Sequence, residues 1–310
     1  MSQVDILSKL DTAYKAITTS DITTGLLKPQ KAERFIRVVE DSTPLLSAAR
    51  RITMTAPTRE IDRIQFGGQI LAATGETDSV TSEQKVNIPM NKLDAQELTG
   101  FVGLTDRTLE DNIEKGNFEN TLIDLLGGQI GLDLEHLYLS GDKSESDSLL
   151  KVTDGWLIKA ANKVTGADAP EAGKFDKTKI ESMLNVMLQA VPKKYLRNKT
   201  EWKYYVTWEM EDDYRNTLRN RQTSLGDAAQ TSAQGLYYKG IALEYVPQMP
   251  AGYAMLAPAN NLVYGLYRDI TIEKDRVPKL RKTDFVNSLR TDCHFEDENA
   301  VAVASGYVGS

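Results

Sequence analysis

Apolar positions along the chain change their spacing several times, and each change marks a boundary. Over residues 1–48 two short helical patches, Ile6, Leu7, Leu10, Tyr14 and Ile17, then Phe35, Ile36, Val39, Leu45 and Leu46, sit in polar, Thr/Ser-rich sequence. Gly25 and Pro29 punctuate the stretch between them. That is too little apolar surface to fold alone, so it predicts an arm lying on its own body or on a neighbour. From Arg51 the period becomes two, through Ile52, Met54 and Ala56 and then Ile61, Ile64 and Phe66, and a second alternating run follows at Val86, Ile88 and Met90. Two strand-like runs around a polar stretch from Gly67 to Lys85 predict an extended hairpin loop over residues 49–98. Its tip of about 18 residues exceeds an ordinary hairpin connection, and loops of that length commonly carry function, so the tip is expected to touch a partner.

The strongest helical pattern runs from Phe118 to Tyr138, with Asn117 as N-cap and Phe118, Leu122, Leu125, Leu126, Ile130, Leu134 and Leu137 at spacings of three and four. Gly127, Gly128 and Gly131 lie inside it, each costing about 1 kcal/mol against alanine, which predicts another element packed closely there. The helix exits through Ser140-Gly141-Asp142 into a polar loop, and Gly155-Trp156-Leu157-Ile158 opens a second region of mixed character. There a helix is predicted over Thr178–Ala190, a strand over Trp202–Trp208, a short helix over Met210–Leu218 and a strand pair split at Gly240. Alternation returns in Leu262-Val263-Tyr264, Ile270–Glu273, Ser288-Leu289-Arg290 and Ala300–Val303. Strands so late must pair with something already made, and the simplest arrangement sets them beside the long helix, giving a body discontinuous in sequence. The fold class expected is α+β.

Length and composition agree with this division. The chain has 310 residues, enough for two domains, with 41% hydrophobic and 26% charged residues, which excludes global disorder. No stretch approaches the roughly 20 apolar residues that would cross a bilayer, so no membrane association is expected. A net charge of −7 repels polyanions and argues against nucleic-acid binding as the main activity. The basic clusters Arg50-Arg51, Lys193-Lys194 with Arg197 and Lys199, and Arg215, Arg219 and Arg221 lack interleaved stacking aromatics and read as solvated faces or subunit contacts.

The search for chemistry returns little. There is no phosphate-binding Gly-rich turn, since Gly127-Gly128-Gln129-Ile130-Gly131 falls within a helix. His136, His294 and Cys293 are the only histidines and cysteine, too few for a metal cluster at ligand spacing, and Cys293 reads as a small core residue. No Gly-x-Ser-x-Gly or Cys/His signature is present, and Glu211, Asp212 and Asp213 read as a solvated acidic face. No catalytic, cofactor-binding or metal-binding residue is assigned, and the chain is not expected to be an enzyme.

The order of these segments resembles the tailed-bacteriophage major capsid proteins of the Hong Kong 97 type. Gly25–Pro29 followed by Ala32–Ile36 is similar to the family's arm. Arg50–Met54 and Arg59–Ile64 are similar to the start of its extended loop, and Gly75-Glu76-Thr77 to the loop tip. Leu109–Ile113, Phe118-Glu119-Asn120 and Leu137–Asp142 resemble the spine helix and its exit. Tyr245–Pro250 and Leu262–Gly265 continue the likeness, which covers most of the chain.

The resemblance implies an N-terminal arm at residues 1–48, an extended β-hairpin loop at 49–98, a peripheral domain with the spine helix at 99–148 with 262–310, and an axial α/β domain at 149–261. It further implies self-assembly as hexamers and pentamers into an icosahedral virion head, built in the cytoplasm of a bacterial host and enclosing double-stranded DNA without sequence-specific binding. About 48 residues precede the loop, so a separate scaffolding protein, or a chain already processed, is expected. A portal, and optionally a decoration protein, complete the partners. Lys85 could be placed as the cross-linking lysine of some relatives, but reads better as an ordinary solvated lysine. The alternatives are an encapsulin-type nanocompartment shell, against which the arm-like start counts, and an enzyme with a cleft between two domains.

Overall fold

The structure, a computed structural model, describes residues 43–63, 65–66, 86–87, 89–105, 118–168, 175–219 and 235–309. The arm through residue 42, the loop tip with Gly75 and Lys85, the segment Leu109–Ile113, the Asn117 cap and Arg221 lie outside the described residues.

The described residues begin with a short helix α1 (Pro44–Ala48) and strands β1 (Arg50–Thr53), β2 (Thr58–Asp62) and β3 (Gln65–Phe66). It returns through β4 (Val86–Asn87) and β5 (Met90–Asp94), runs into β6 (Gln96–Thr105), and then forms the long helix α2 (Phe118–Ser140). A second set follows: α3 (Trp156–Lys159), β7 (Asn162–Val164), β8 (Phe175–Asp176), α4 (Ile180–Ala190), β9 (Trp202–Val206), α5 (Trp208–Arg219), β10 (Tyr237–Tyr238), β11 (Ile241–Tyr245) and β12 (Ala254–Pro258). Two long strands, β13 (Leu262–Val277) and β14 (Lys282–Phe295), and the short β15 (Ala302–Ala304) and β16 (Tyr307–Val308) complete it.

The expected hairpin is present as β2 paired antiparallel with β5, Thr58 opposite Asp94, and continued by β3 with β4. The run at Ile52 belongs elsewhere. β1 pairs parallel with β13, Arg50 opposite Val263, and so joins the order β1-β13-β14-β6 of a four-stranded sheet. A sharp reversal at Ala56-Pro57 separates what the alternating pattern read as continuous, because period two is shared by any strand and does not name its partner.

The second sheet has the order β10-β11-β9-β12-β15-β7. Its inner strands β9, β12 and β15 are buried on both faces, which explains the unbroken apolar run Tyr204-Tyr205-Val206. Trp202, Tyr204, Val206, Leu256 and Ala302 face α4 and α5, with Ile180, Met183, Met187 and Met210. Tyr205, Met255, Ala257 and Val303 face the other core, which includes Trp156 and the C-terminal half of α2. Strand β15 corrects the expectation that everything after residue 262 returns to the long helix: it pairs with β12 and β7 and so belongs to the second sheet.

Helix α2 lies along β13 and β14. Leu134, Leu137, Tyr138 and Leu139 are all buried, so its C-terminal half is surrounded. Leu125 is instead 67% exposed, although its spacing placed it on the apolar stripe. Gly127 and Gly131 are buried, as the packing argument requires, but a Cβ on Gly128 would meet nothing within 4 Å among the described residues. Close approach occurs instead at the helix exit. A Cβ on Gly141 would run into the Thr153 carbonyl oxygen and one on Gly155 into that of Leu139, and the two glycines are joined by Gly155 N donating to Gly141 O at 2.8 Å.

Candidate assembly surfaces

The hairpin is rooted in the body by a small core and a polar lock. Met54, Ile61, Leu93, Ala95 and Val263 pack together, and Gly265 leaves them room, since a Cβ there would stand 2.6 Å from Met54 Sδ and force that side chain to shift. Asp292 of β14 ties three elements. Its Oδ2 accepts from Asp94 N at 2.7 Å, and its Oδ1 accepts from Thr153 Oγ1 at 2.6 Å, Cys293 N at 2.8 Å and Lys159 Nζ at 3.4 Å. A carboxylate taking four donors is what a buried charge needs in place of water. Nearby, Arg63 bridges to Asp297 at 2.5 Å and Asn91 Nδ2 donates to the Phe295 carbonyl at 2.8 Å. Burial alone would raise the Asp297 carboxyl, but its hydrogen bonds and the Arg63 charge hold it below the ordinary carboxylate range.

The junction with the N-terminal segment is built differently. Leu45 and Leu46 of α1 pack on Leu134, Leu137 and Tyr138, and the Leu45 amide donates to Glu135 Oε1 at 3.0 Å. Glu135 is fully buried and its Oε2 has no partner among the described residues. Burial pushes its carboxyl up to about 7, against the modest opposing effect of the Leu45 amide.

Beyond the root, β13, β14 and β6 form a three-stranded ribbon whose register runs from Leu262 opposite Phe295 to Val277 opposite Lys282. One face carries Ile272, Phe285 and Leu289 against α2. The other carries Phe101, 61% exposed, with Lys282 Nζ 5.2 Å from its ring centre, and the turn at the end presents Leu280 at 64% exposure. At the start of α5 the exposed Trp208 stands edge-on to Tyr245 of β11, with ring centres 5.8 Å apart. Exposed aromatics of this size are typical anchors of protein interfaces. A groove of about 420 Å³ opens between the exit of α2 and the second sheet, lined by His136, Asp142, Glu145, Leu157, Ile158 and Tyr253 among others.

The residues singled out from the sequence do not converge. His136 lines the groove, whereas His294 is largely buried beside Trp156, with burial and the Lys159 charge holding its pKa below the ordinary value. Cys293 is buried, its Sγ 3.6 Å from the Asp154 carbonyl, and burial pushes its thiol up to about 12. The acidic trio separates: Glu211 pairs with Arg215 at 2.9 Å, Asp212 accepts from Asn216, and Asp213 is buried, accepting from Tyr307 Oη at 2.6 Å. Asp213 therefore corrects the reading of a solvated face, because the chain end folds back and supplies a hydroxyl to it. Arg50 pairs with Glu296 at 2.9 Å, and Lys193, Lys194, Arg197 and Lys199 are exposed. Asp292, Glu135 and Arg63 escaped the sequence reading, since a lone charged residue has no local pattern that names a distant partner.

The pattern of the phage capsid family matches residues 24–305. YqbE of Bacillus subtilis (strain 168), assigned as a prophage capsid protein, is 31% identical over 316 residues, covering 97% of this chain and 98% of that protein. Among solved structures, the satellite phage P4 procapsid including size determination (Sid) protein aligns with a TM-score of 0.66 at 16% identity, covering 99% of this chain and 98% of that one. The capsid of an empty GTA particle computed with C5 symmetry aligns at 0.60 with 14% identity, covering 97% and 98%. With a hairpin, a long helix and two sheets in the arrangement these shells share, and a family match over most of its length, the chain belongs to the phage capsid family.

Proposed function

We propose that this capsid shell protein works by assembly alone, with each extended feature completed by a neighbouring copy. In this reading the hairpin of residues 49–98 overlaps an adjacent subunit, the segment 1–48 reaches another, and the region 149–261 gathers around the local axes of hexamers and pentamers. The body of 99–148 with most of 262–310 forms the lattice between them. The observation that carries it is the exposure of Phe101 on the paired strand β6, Leu280 at the turn between β13 and β14, and Trp208 at the start of α5. Apolar side chains displayed on rigid elements spare the contact the cost of ordering backbone, and specific contacts commonly bury about 800 Å² on each partner.

A phage shell, and not an encapsulin compartment or an enzyme, is the function the family match supports. A separate scaffolding protein, a portal and optionally a decoration protein are its expected partners, met in the cytoplasm of a bacterial host. The related P4 procapsid includes a separate size determination protein, which fits assembly help supplied on another chain. The net charge of −7 fits a wall that encloses double-stranded DNA without gripping its sequence.

Negative-stain electron microscopy with sedimentation, on the chain expressed alone and together with its neighbouring reading frames, tests the reading. Hollow polyhedra or capsomer rings are expected. Strictly monomeric protein under every condition would overturn it.

A further inference from the structure

The tip of the ribbon is apolar and basic, and the groove is apolar with two acids on its rim. Trp156 Nε1 donates to the His294 carbonyl at 3.0 Å, so α3, whose Leu157 and Ile158 line the groove, is fixed at the root of the ribbon. The 14 residues of β14 run from that root to the turn at Pro278–Arg281, a span of about 40 Å at roughly 3.3 Å per residue. The two features therefore cannot meet within one chain.

The turn is a rigid probe. Pro278–Leu280 forms one tight helical turn, closed by Arg281 N donating to Pro278 O at 3.2 Å, with Arg281 at φ 48°. It presents Leu280 outward between Lys279 and Arg281, and residues 274–282 hold five basic side chains against one acid in a chain of net charge −7. The groove offers the counterpart. Its apolar wall includes Leu157, Ile158 and Tyr253, the last two more than a third exposed, and its rim carries Asp142 and Glu145 against Lys163.

Resting on the assembly reading, we propose that Lys279-Leu280-Arg281 of one copy seats in this groove on a second copy, with Leu280 against Leu157, Ile158 and Tyr253 and the flanking cations beside Asp142 and Glu145. A contact between two different surfaces is head-to-tail, so it propagates, closing into rings or extending as a lattice. Its charged rim makes it weaker at high salt, and its apolar centre supplies the anchor.

The test is a disulfide between copies. Leu280→Cys and Ile158→Cys are introduced into one full-length chain, and assembled material is mildly oxidised and run on a denaturing gel without reductant. A ladder of covalent multimers is expected, absent from either single variant, while the buried Cys293 stays out of the exchange. In parallel, Lys279→Glu with Arg281→Glu should lower the sedimenting fraction by about tenfold, the scale of one charged contact. Adding Glu145→Lys to that chain should recover part of it. These positions are exposed, so an unchanged unfolding midpoint shows that the fold is intact. Normal particles from the parent chain, with no ladder and no loss in the charge variant, overturn this contact and leave the shell reading standing. A parent chain that never assembles overturns the shell reading itself.

Discussion

The two sheets of this molecule are made of similar residues but solve opposite problems. The six-stranded sheet is closed on both faces, by α4 and α5 on one side and by the core around Trp156 on the other. The four-stranded sheet is long and covered on one side by α2, and it leaves Phe101 and Leu280 largely exposed. The first resembles the interior of any globular domain. The second is half of an interface, joined to the first through Asp292 and Trp156. A subunit that must form many contacts keeps one region whose stability is its own and holds out another whose remaining burial waits for neighbours.

The comparison breaks first at the shared core. Trp156→Ala removes a fully buried side chain that serves both sheets and is expected to cost about 3–5 kcal/mol, read as a fall in the denaturant midpoint of the monomer. If the midpoint barely moves, the two sheets are not one cooperative unit. Next comes Asp292→Ala, which strands the Lys159 ammonium and frees the Asp94 amide, at a cost of about 3 kcal/mol. Hydrogen exchange should show the hairpin root losing protection while β9 and β12 keep theirs.

Glu135 sharpens the comparison through pH. Its carboxyl is raised from 4.5 to about 7, so the folded chain binds more protons than the unfolded one in that interval. The stabilising contribution is full below the unfolded value and is lost as pH rises through about 7. At about 1.4 kcal/mol per pKa unit, the slope amounts to roughly 3 kcal/mol at most. Glu135→Gln keeps an acceptor for the Leu45 amide and should flatten the profile, measured as the unfolding midpoint between pH 5 and 8. The smallest effect on the fold is expected from Trp208→Ser, within about 0.5 kcal/mol for an exposed side chain, while the same change lowers the sedimenting fraction. Equal loss of both would place Trp208 in the fold and not in the interface.

Much of this was legible because periodicity is a local signal. The 118–140 helix, the 180–190 helix, the strand at 202–206 and the split at Gly240 follow from spacing and punctuation within a dozen residues. The hairpin was legible for the same reason, as two alternating runs around a polar tip. What spacing could not give was partnership. Period two assigned Ile52 to the hairpin and set Val301 and Val303 beside the long helix, both wrongly, since a strand's alternation says which side chains share a face and nothing about the neighbour it meets. Leu125 shows the same limit on a helix: the stripe names a face, and only the surrounding elements decide how far along that face burial extends.

The sequence by itself determined the elements, the absence of any recognisable catalytic pattern and, through the order of its segments, the resemblance to phage capsids. Those are properties of neighbouring residues and of composition. The tertiary structure decided that β1 joins the ribbon, that β15 belongs to the second sheet, and that Asp292 and Glu135 are buried where they control the hairpin root and the arm junction. Those outcomes depend on contacts between residues far apart in the chain, from Ala254 with Ala304 to Arg50 with Val263, whose energies come from shared burial and are invisible until the chain has folded around them.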